Sequence, residues 1–222
     1  MSVLTRVRCS RGTLLCATFR RRISSVKQKN ERDFMKLKNE WWIPRGEFEV
    51  LSRMNKLRVP LITDVLRECR EGDHGEQPMN LLKGYKIIDV GCGGGLLTEM
   101  KEQFDALVAS EVIEHVESVE LFIKHCSRVV KPRGHLFFTT INRTLLSLLI
   151  AKIGAEYIFN CVPRGLHDWR LFVTPEELQL QLAKHNCAVA RTKGMMYNPI
   201  TGQWRWIDTE AVSYALHAVK VS

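Results

Sequence analysis

No run of about 18 uninterrupted apolar residues occurs in the 222-residue sequence, so a membrane-spanning helix is not expected. Cysteines are few and unpatterned. The seven (Cys9, Cys16, Cys69, Cys92, Cys126, Cys161 and Cys187) make an odd number and include no C-x-x-C pair. That excludes a disulfide framework and a structural zinc site, and it suits a reducing compartment such as the mitochondrial matrix. Carboxylates are missing from residues 1–30, which carry eight basic residues: Arg6, Arg8, Arg11, Arg20, Arg21, Arg22, Lys27 and Lys29. Nearly all of the formal charge of +9 is therefore local, because the rest of the chain has 25 basic against 24 acidic residues. A near-neutral body lacks the basic face that phosphate backbones select, and no nucleic-acid partner is expected.

What residues 1–30 do contain is arginine, serine (Ser2, Ser10, Ser24 and Ser25) and scattered apolar residues. This is the composition of a mitochondrial transit peptide, expected to be disordered and removable; a plain disordered basic tail has the same makeup. Residues 31–80 read as a helical N-terminal segment. Trp41-Trp42-Ile43-Pro44 forms an aromatic plug, Glu47 to Arg70 mixes helix formers with apolar positions, and Gly72 to Pro78 is a linker. Residues 81–222 read as one layered α/β domain.

Within that domain, strands are expected near Lys86–Val90, at Asp105–Ala109 and at His135–Thr140. Val119, Phe122, Ile123, Cys126, Val129 and Val130 repeat at helical spacing, and Lys131-Pro132-Arg133-Gly134 closes that helix. Thr174-Pro175-Glu176-Glu177 is a capping box with proline at the first helical position.

The strand Lys86-Ile87-Ile88-Asp89-Val90 runs into Gly91-Cys92-Gly93-Gly94-Gly95, a loop in which a ligand can approach the backbone without meeting a Cβ atom. Such loops lie at the carboxyl edge of parallel sheets, where cofactors bind. A dinucleotide fingerprint would need a glycine where Leu96 stands, for close helix packing around a pyrophosphate. Asp-x-Gly-x-Gly-x-Gly instead matches the loop of S-adenosylmethionine-dependent methyltransferases. A dinucleotide site or a plain structural turn are the competing readings.

The resemblance extends along the chain. Trp41 to Phe48, Asn55-Lys56-Leu57-Arg58, Asp89 to Gly95, Glu111-Val112-Ile113-Glu114-His115 and Val130-Lys131-Pro132-x-Gly134 appear in order. Thr140-Ile141-Asn142-Arg143, Val162-Pro163-x-Gly165-x-His167 and Tyr197-Asn198-Pro199-Ile200-Thr201-Gly202 follow. Together they resemble the ubiquinone-biosynthesis O-methyltransferase family, in its mitochondrial form. The resemblance implies a Rossmann-like class I methyltransferase sheet and O-methylation of catechol-type, polyprenylated ring intermediates of the demethylubiquinol kind. It further implies peripheral association with the matrix side of the mitochondrial inner membrane, and contact with other ubiquinone-synthesis proteins. Carried onto matching positions, it assigns Arg58, Gly91 and Ser110 to S-adenosylmethionine and Glu111, Glu114 and His115 to Mg2+.

On a helix starting near Glu111, the residues Glu111, Glu114 and His115 would share one face at i, i+3 and i+4. Two carboxylates and an imidazole could then hold magnesium beside the two catechol oxygens. His115 could alternatively serve as a general base. Acidic residues in a first helical turn, with a solvated histidine, would look the same. Leu145 to Ile150 and Ile153 to Phe159 form an apolar stretch that could lie on a membrane, shelter a prenyl tail or be a core helix. Met195-Met196-Tyr197 and Trp204-Arg205-Trp206 could line a ring pocket or simply pack a sheet.

One departure from the family is plain. Between Gly95 and Phe104 the chain lacks room for the second and third strands of such a sheet and their helices. The lost second strand would end in the carboxylate that holds the cofactor's ribose. Its loss leaves one flank of the Ile87 strand open. Glu111, twenty residues after Gly91, stands near the spacing of a ribose-binding acid and could replace it. A catalytically impaired, shortened isoform that only docks with other ubiquinone-synthesis proteins is the alternative reading.

Overall fold

The computed structural model describes residues 5–9, 12–18, 49–71, 82–91, 103–150 and 169–221. Eight strands form one sheet: β1 (Thr5–Cys9), β2 (Gly12–Thr18), β3 (Ile87–Gly91), β4 (Phe104–Ser110), β5 (Val130–Ile141), β6 (Cys187–Asn198), β7 (Gln203–Ile207) and β8 (Ser213–Lys220). Their spatial order is β1-β2-β3-β4-β5-β8-β6-β7. Pairing is parallel from β2 to β5 and antiparallel at both outer parts.

The parallel centre follows from composition. In β4 the residues Phe104, Ala106, Leu107, Val108 and Ala109 are all buried, as expected for a strand covered on both faces. One cover is α2 (Val119–Val129) with α3 (Pro175–Ala183). Phe122, Ile123, Cys126 and Val129 of α2, with Leu178 and Leu182 of α3, join Ile88, Leu107, Leu136 and Phe138 in the main core. Ser118 caps α2 by accepting from the Leu121 N–H at 3.2 Å. The capping box at Thr174 forms as expected: Glu177 N–H donates to the Thr174 hydroxyl and Thr174 N–H to the Glu177 carboxylate. The helix α1 (Glu49–Glu71) supplies the other cover. Its Ile62, Val65 and Leu66 pack on Ile87, Ala106, Val108 and Phe137, and its Met54 packs on Met195 and Ala215.

Three expectations change. The strand expected at His135–Thr140 runs from Val130 to Ile141, so Lys131–Gly134 is an irregularity within the strand and not a closing turn. The register jumps from Phe104 opposite Val130 to Ala106 opposite His135, and Arg133 takes up the irregularity in a left-handed conformation (φ 62°). Gly134 is obligatory there, since a Cβ would stand 2.9 Å from the Asp105 carbonyl oxygen.

The second change is in residues 1–30, expected to be disordered. Residues 5–9 and 12–18 are strands, and β2 lies parallel on the flank of β3 away from β4. A buried strand with a bare flank would leave backbone N–H and C=O groups without partners, and β2 satisfies them. The third concerns the helical N-terminal segment: its helix spans Glu49–Glu71, while Trp41, Trp42 and the Gly72–Pro78 linker lie outside the described residues. β3 and β4 are parallel neighbours, and the 92–102 connection between them also lies outside.

Candidate cofactor and active site

β3, β4 and β5 end together, and their carboxyl ends carry Asp89 and Gly91, Ser110, and Thr139 with Thr140. The N-terminal half of α1 crosses this edge. Met54 Sδ lies 3.9 Å from both the Ser110 and the Thr139 hydroxyls, which are 2.7 Å apart. One turn further along α1, half-buried Arg58 is held by the Asn55 side-chain oxygen. Its guanidinium charge acts on Asp89 and on Glu111, favouring the ionised form of each. Burial outweighs it at Asp89, whose pKa stands above the ordinary carboxylate range. Thus Arg58, Gly91 and Ser110 lie at one edge of the sheet. Among the described residues none comes within 4 Å of where a Cβ on Gly91 would point. Gly93, Gly94 and Gly95 lie outside the described residues.

The acidic cluster folds differently from the expected helix. Glu111 has a left-handed backbone (φ 52°), fixed by its N–H donating to the Thr139 carbonyl at 2.8 Å. Helical structure begins only at Ile113 and is a single 3-10 turn, Ile113–His115. With three residues per turn, neighbours point about 120° apart. Glu114 therefore turns into the core at 3% exposure and accepts the Thr140 hydroxyl at 2.8 Å, whereas His115 stays half-exposed.

Glu111 and Glu114 are close enough for the charge of Glu114 to act on Glu111. Burial raises the pKa of both, and for Glu111 the Glu114 charge adds to it. One oxygen, Glu111 Oε1, is buried with no partner. Tyr214, whose hydroxyl donates to the Val173 carbonyl at 3.0 Å, is pushed up by burial and then by the Glu114 charge. Among the described residues no three His, Cys, Asp or Glu side chains converge where they could hold a metal ion. The three-ligand magnesium site of Glu111, Glu114 and His115 does not fit this arrangement. The i, i+3, i+4 geometry it needed is absent because Glu111 precedes the turn in a left-handed conformation. The substitution of Glu111 for the ribose acid fares no better. It lies at the end of β4, on the opposite side of β3 from the flank where a second strand would stand.

Two features carried no sequence signal strong enough to single them out. Met54 stands four residues before Arg58 on the same helical face, and Thr139 faces Ser110 across the β4–β5 register. Met195, Trp204 and Trp206 pack against Met54, Leu51, Leu57 and Leu61 of α1, so the sheet-packing reading holds for them. Of the apolar stretch, Leu145–Ser147 is a short helical turn capped by Thr144, with Leu145 74% and Leu149 54% exposed; Ile153 to Phe159 lie outside the described residues. No helix among the described residues is long and apolar enough to cross a membrane.

Comparison with known proteins identifies the family. The family described as methyltransferase domain matches residues 97–192. The chain is 36% identical to the mitochondrial ubiquinone biosynthesis O-methyltransferase of Rattus norvegicus, over 88% of this chain and 70% of that protein. It is 38% identical to the Bos taurus protein of the same name, covering 87% of this chain and 65% of that one. A bacterial protein named ubiquinone biosynthesis O-methyltransferase, from Bradyrhizobium diazoefficiens, is 31% identical over 88% of this chain and 94% of its own length. The chain thus spans about two thirds of the mammalian proteins. The rat alignment covers 245 positions, more than the 222 residues of the chain, so some positions of that relative have no counterpart here. In fold, the chain is similar to the crystal structure of magnesium protoporphyrin IX methyltransferase from Synechocystis with bound SAH. The TM-score is 0.51 at 14% identity, over 88% of this chain and 98% of that one. A parallel sheet with these motifs at its carboxyl edge, and relatives sharing a third of its residues from bacteria to mammals, place the chain in the ubiquinone biosynthesis O-methyltransferase family of S-adenosylmethionine-dependent methyltransferases.

Proposed function

We propose that this chain methylates a phenolic oxygen of catechol-type, polyprenylated ring intermediates of the demethylubiquinol kind in ubiquinone synthesis. Its place is the mitochondrion, on the matrix side of the inner membrane, as a peripheral protein among others of that pathway. The mitochondrial names of the mammalian relatives and the basic, acid-free leader support the compartment. Exposed Leu145, Leu146 and Leu149 suit a lipid surface or a prenyl tail.

The observation that carries the reading is the meeting of Arg58, Gly91 and Ser110 at the carboxyl edge of the parallel strands. Arg58 would face the carboxylate of the cofactor's amino-acid part. Gly91 leaves room for its backbone approach, and Ser110 offers a hydroxyl already oriented by Thr139. When bound there, S-adenosylmethionine would supply an electrophilic methyl group for a phenolic oxygen of the substrate. His115, half-exposed beside the buried acids, takes the phenolic proton as general base. Holding the two reactants in line supplies much of the acceleration.

A second reading is favoured by a specific observation. The strand beside β3 on its outer flank comes from residues 12–18, and among the described residues no strand following the glycine loop stands there to present a ribose-binding carboxylate. An impaired isoform that only docks would result. Calorimetry of the full chain with S-adenosylmethionine separates the two. Micromolar binding, weakened at least tenfold by Arg58→Ala, and transfer of a labelled methyl group to a prenylated catechol are expected of the enzyme. No heat at millimolar ligand would reject it in favour of the docking form.

A further inference from the structure

The outer flank of β3 is closed by a strand from the opposite end of the sequence, in a segment whose composition is that of a leader. β3 is deeply buried, with Ile88 at 0% and Val90 at 1% exposure, so a bare flank there would strand its backbone polar groups. Residues 12–18 meet it in an unbroken parallel register, from Leu14 opposite Ile87 to Thr18 opposite Gly91. The run Gly-Thr-Leu-Leu-Cys-Ala-Thr carries no charge, although Arg11 precedes it and Arg20 to Arg22 follow it. Uncharged, near-continuous apolar runs are the signature of parallel strands covered on both faces. Outside it, β1 reads Thr-Arg-Val-Arg-Cys, charged at alternate positions, and charge of this kind is how outermost strands resist further pairing.

We propose that residues 12–18 are a self-complementing strand. They occupy, within the same molecule, the sheet position that the short β3–β4 connection leaves without a neighbour. The N-terminal segment then has two roles, as an address and as part of the fold. Proteolytic removal of it would reopen the β3 edge, so leader processing and sheet integrity are linked in this chain. The inference stands on backbone register and sequence pattern, and it holds or fails independently of any methyl transfer.

Two measurements on the full chain test it. Cys16 is the register partner of Asp89, and adjacent strands stand about 4.8 Å apart, inside the range a disulfide spans. With Asp89→Cys in a Cys92→Ser background, a mild two-electron thiol oxidant should link Cys16 to the new thiol, within single molecules, in most of the protein. Peptide mapping that finds the new thiol reduced, or joined to Cys9 or to a second copy, overturns the proposal. Separately, Leu15→Pro removes an N–H from a strand flanked on both sides. Hydrogen exchange of the 87–91 amides should then quicken at least tenfold. Unchanged protection of those amides in the variant would show that β2 does not cover them.

Discussion

His217 of β8 faces Phe137 of β5 in the sheet, with ring centroids 4.8 Å apart, and its other ring neighbour is His135 at 5.2 Å. His135 Nδ1 and His217 Nε2 are 3.0 Å apart, so one ring donates to the other, and burial disfavours the charged form of each. Burial, then the His135 and Arg191 charges, push the pKa of His217 down to about 4 from an ordinary 6.5. Between those values the unfolded chain binds more protons than the folded one, so stability falls as pH drops through that window and is whole above it. At about 1.4 kcal/mol per pH unit the gap is worth about 3 kcal/mol. His217→Phe keeps the stacked shape but leaves His135 Nδ1 alone, which costs about 1–3 kcal/mol at any pH. The variant should therefore be less stable than wild type at pH 8 and equal or more stable at pH 4.5. Urea unfolding followed by far-UV circular dichroism at several pH values between these limits measures both. Curves that keep a constant gap across that range would refute the neutral buried pair.

Glu111→Gln removes a carboxyl whose pKa is raised by burial and by Glu114, so this group's contribution is whole in acid, below the ordinary carboxylate pKa, and is lost as pH rises through the raised value. Thermal melts should show the variant more stable by a few kcal/mol at pH 9 and level with wild type at pH 4, an order of magnitude set by the cost of a buried charge. Equal melting at pH 9 would mean that the carboxyl is not desolvated. Gly194→Ala would place a Cβ 1.9 Å from the Thr209 carbonyl oxygen, a backbone clash expected to cost about 3 kcal/mol or more. A melting temperature within 2 °C of wild type, a shift worth only about 0.5–1 kcal/mol, would contradict that packing. Thr174→Ala loses the N-cap of α3 and should cost about 1 kcal/mol in urea unfolding.

What the sequence made legible was local. The Thr174 box, the apolar spacing of Val119 to Val129 and the acid-then-glycine end of β3 each carry their cause within a few residues, and each formed. What it hid was set at a distance. The left-handed turn at Glu111 is imposed by the Thr139 carbonyl, so the local pattern of Glu111, Glu114 and His115 pointed to a helical face that never forms. Residues 12–18 become a strand only because β3, about seventy positions later, needs a neighbour. The same applies to Lys131–Gly134, where proline and glycine punctuate a turn in isolation but fit a bulge once β4 lies alongside. At the candidate site, the residues assigned from family motifs converged for the cofactor and did not converge for a metal. The first set sits on rigid strand ends and a long helix, whereas the second depended on one short turn.

The helix α1 is tied to the site and to the sheet by different bonds. Toward the strand ends it offers Met54 to the Ser110 and Thr139 hydroxyls, and Arg58 to Asp89 and Glu111. Toward the antiparallel half, Arg53 Nη1 donates to the Gly202 carbonyl at 2.6 Å and Trp204 Nε1 to the Val50 carbonyl at 2.9 Å. The charge of Arg58 acts on two of the site's three acids, Asp89 and Glu111, so a carboxylate ligand that engages it must also draw on the placement of α1. Cofactor binding should consequently slow hydrogen exchange along Glu49–Glu71, most in the turn from Met54 to Arg58, because a ligand that binds only the folded helix raises the free energy of opening it. A saturating concentration, at 100 times the dissociation constant, corresponds to about 2.7 kcal/mol and thus about a hundredfold slower exchange for amides that open with the site. The helix α3 (Pro175–Ala183) packs on the other face and serves as the internal control. Equal slowing in both helices would indicate general stabilisation, and no slowing in α1 would place the cofactor away from Arg58.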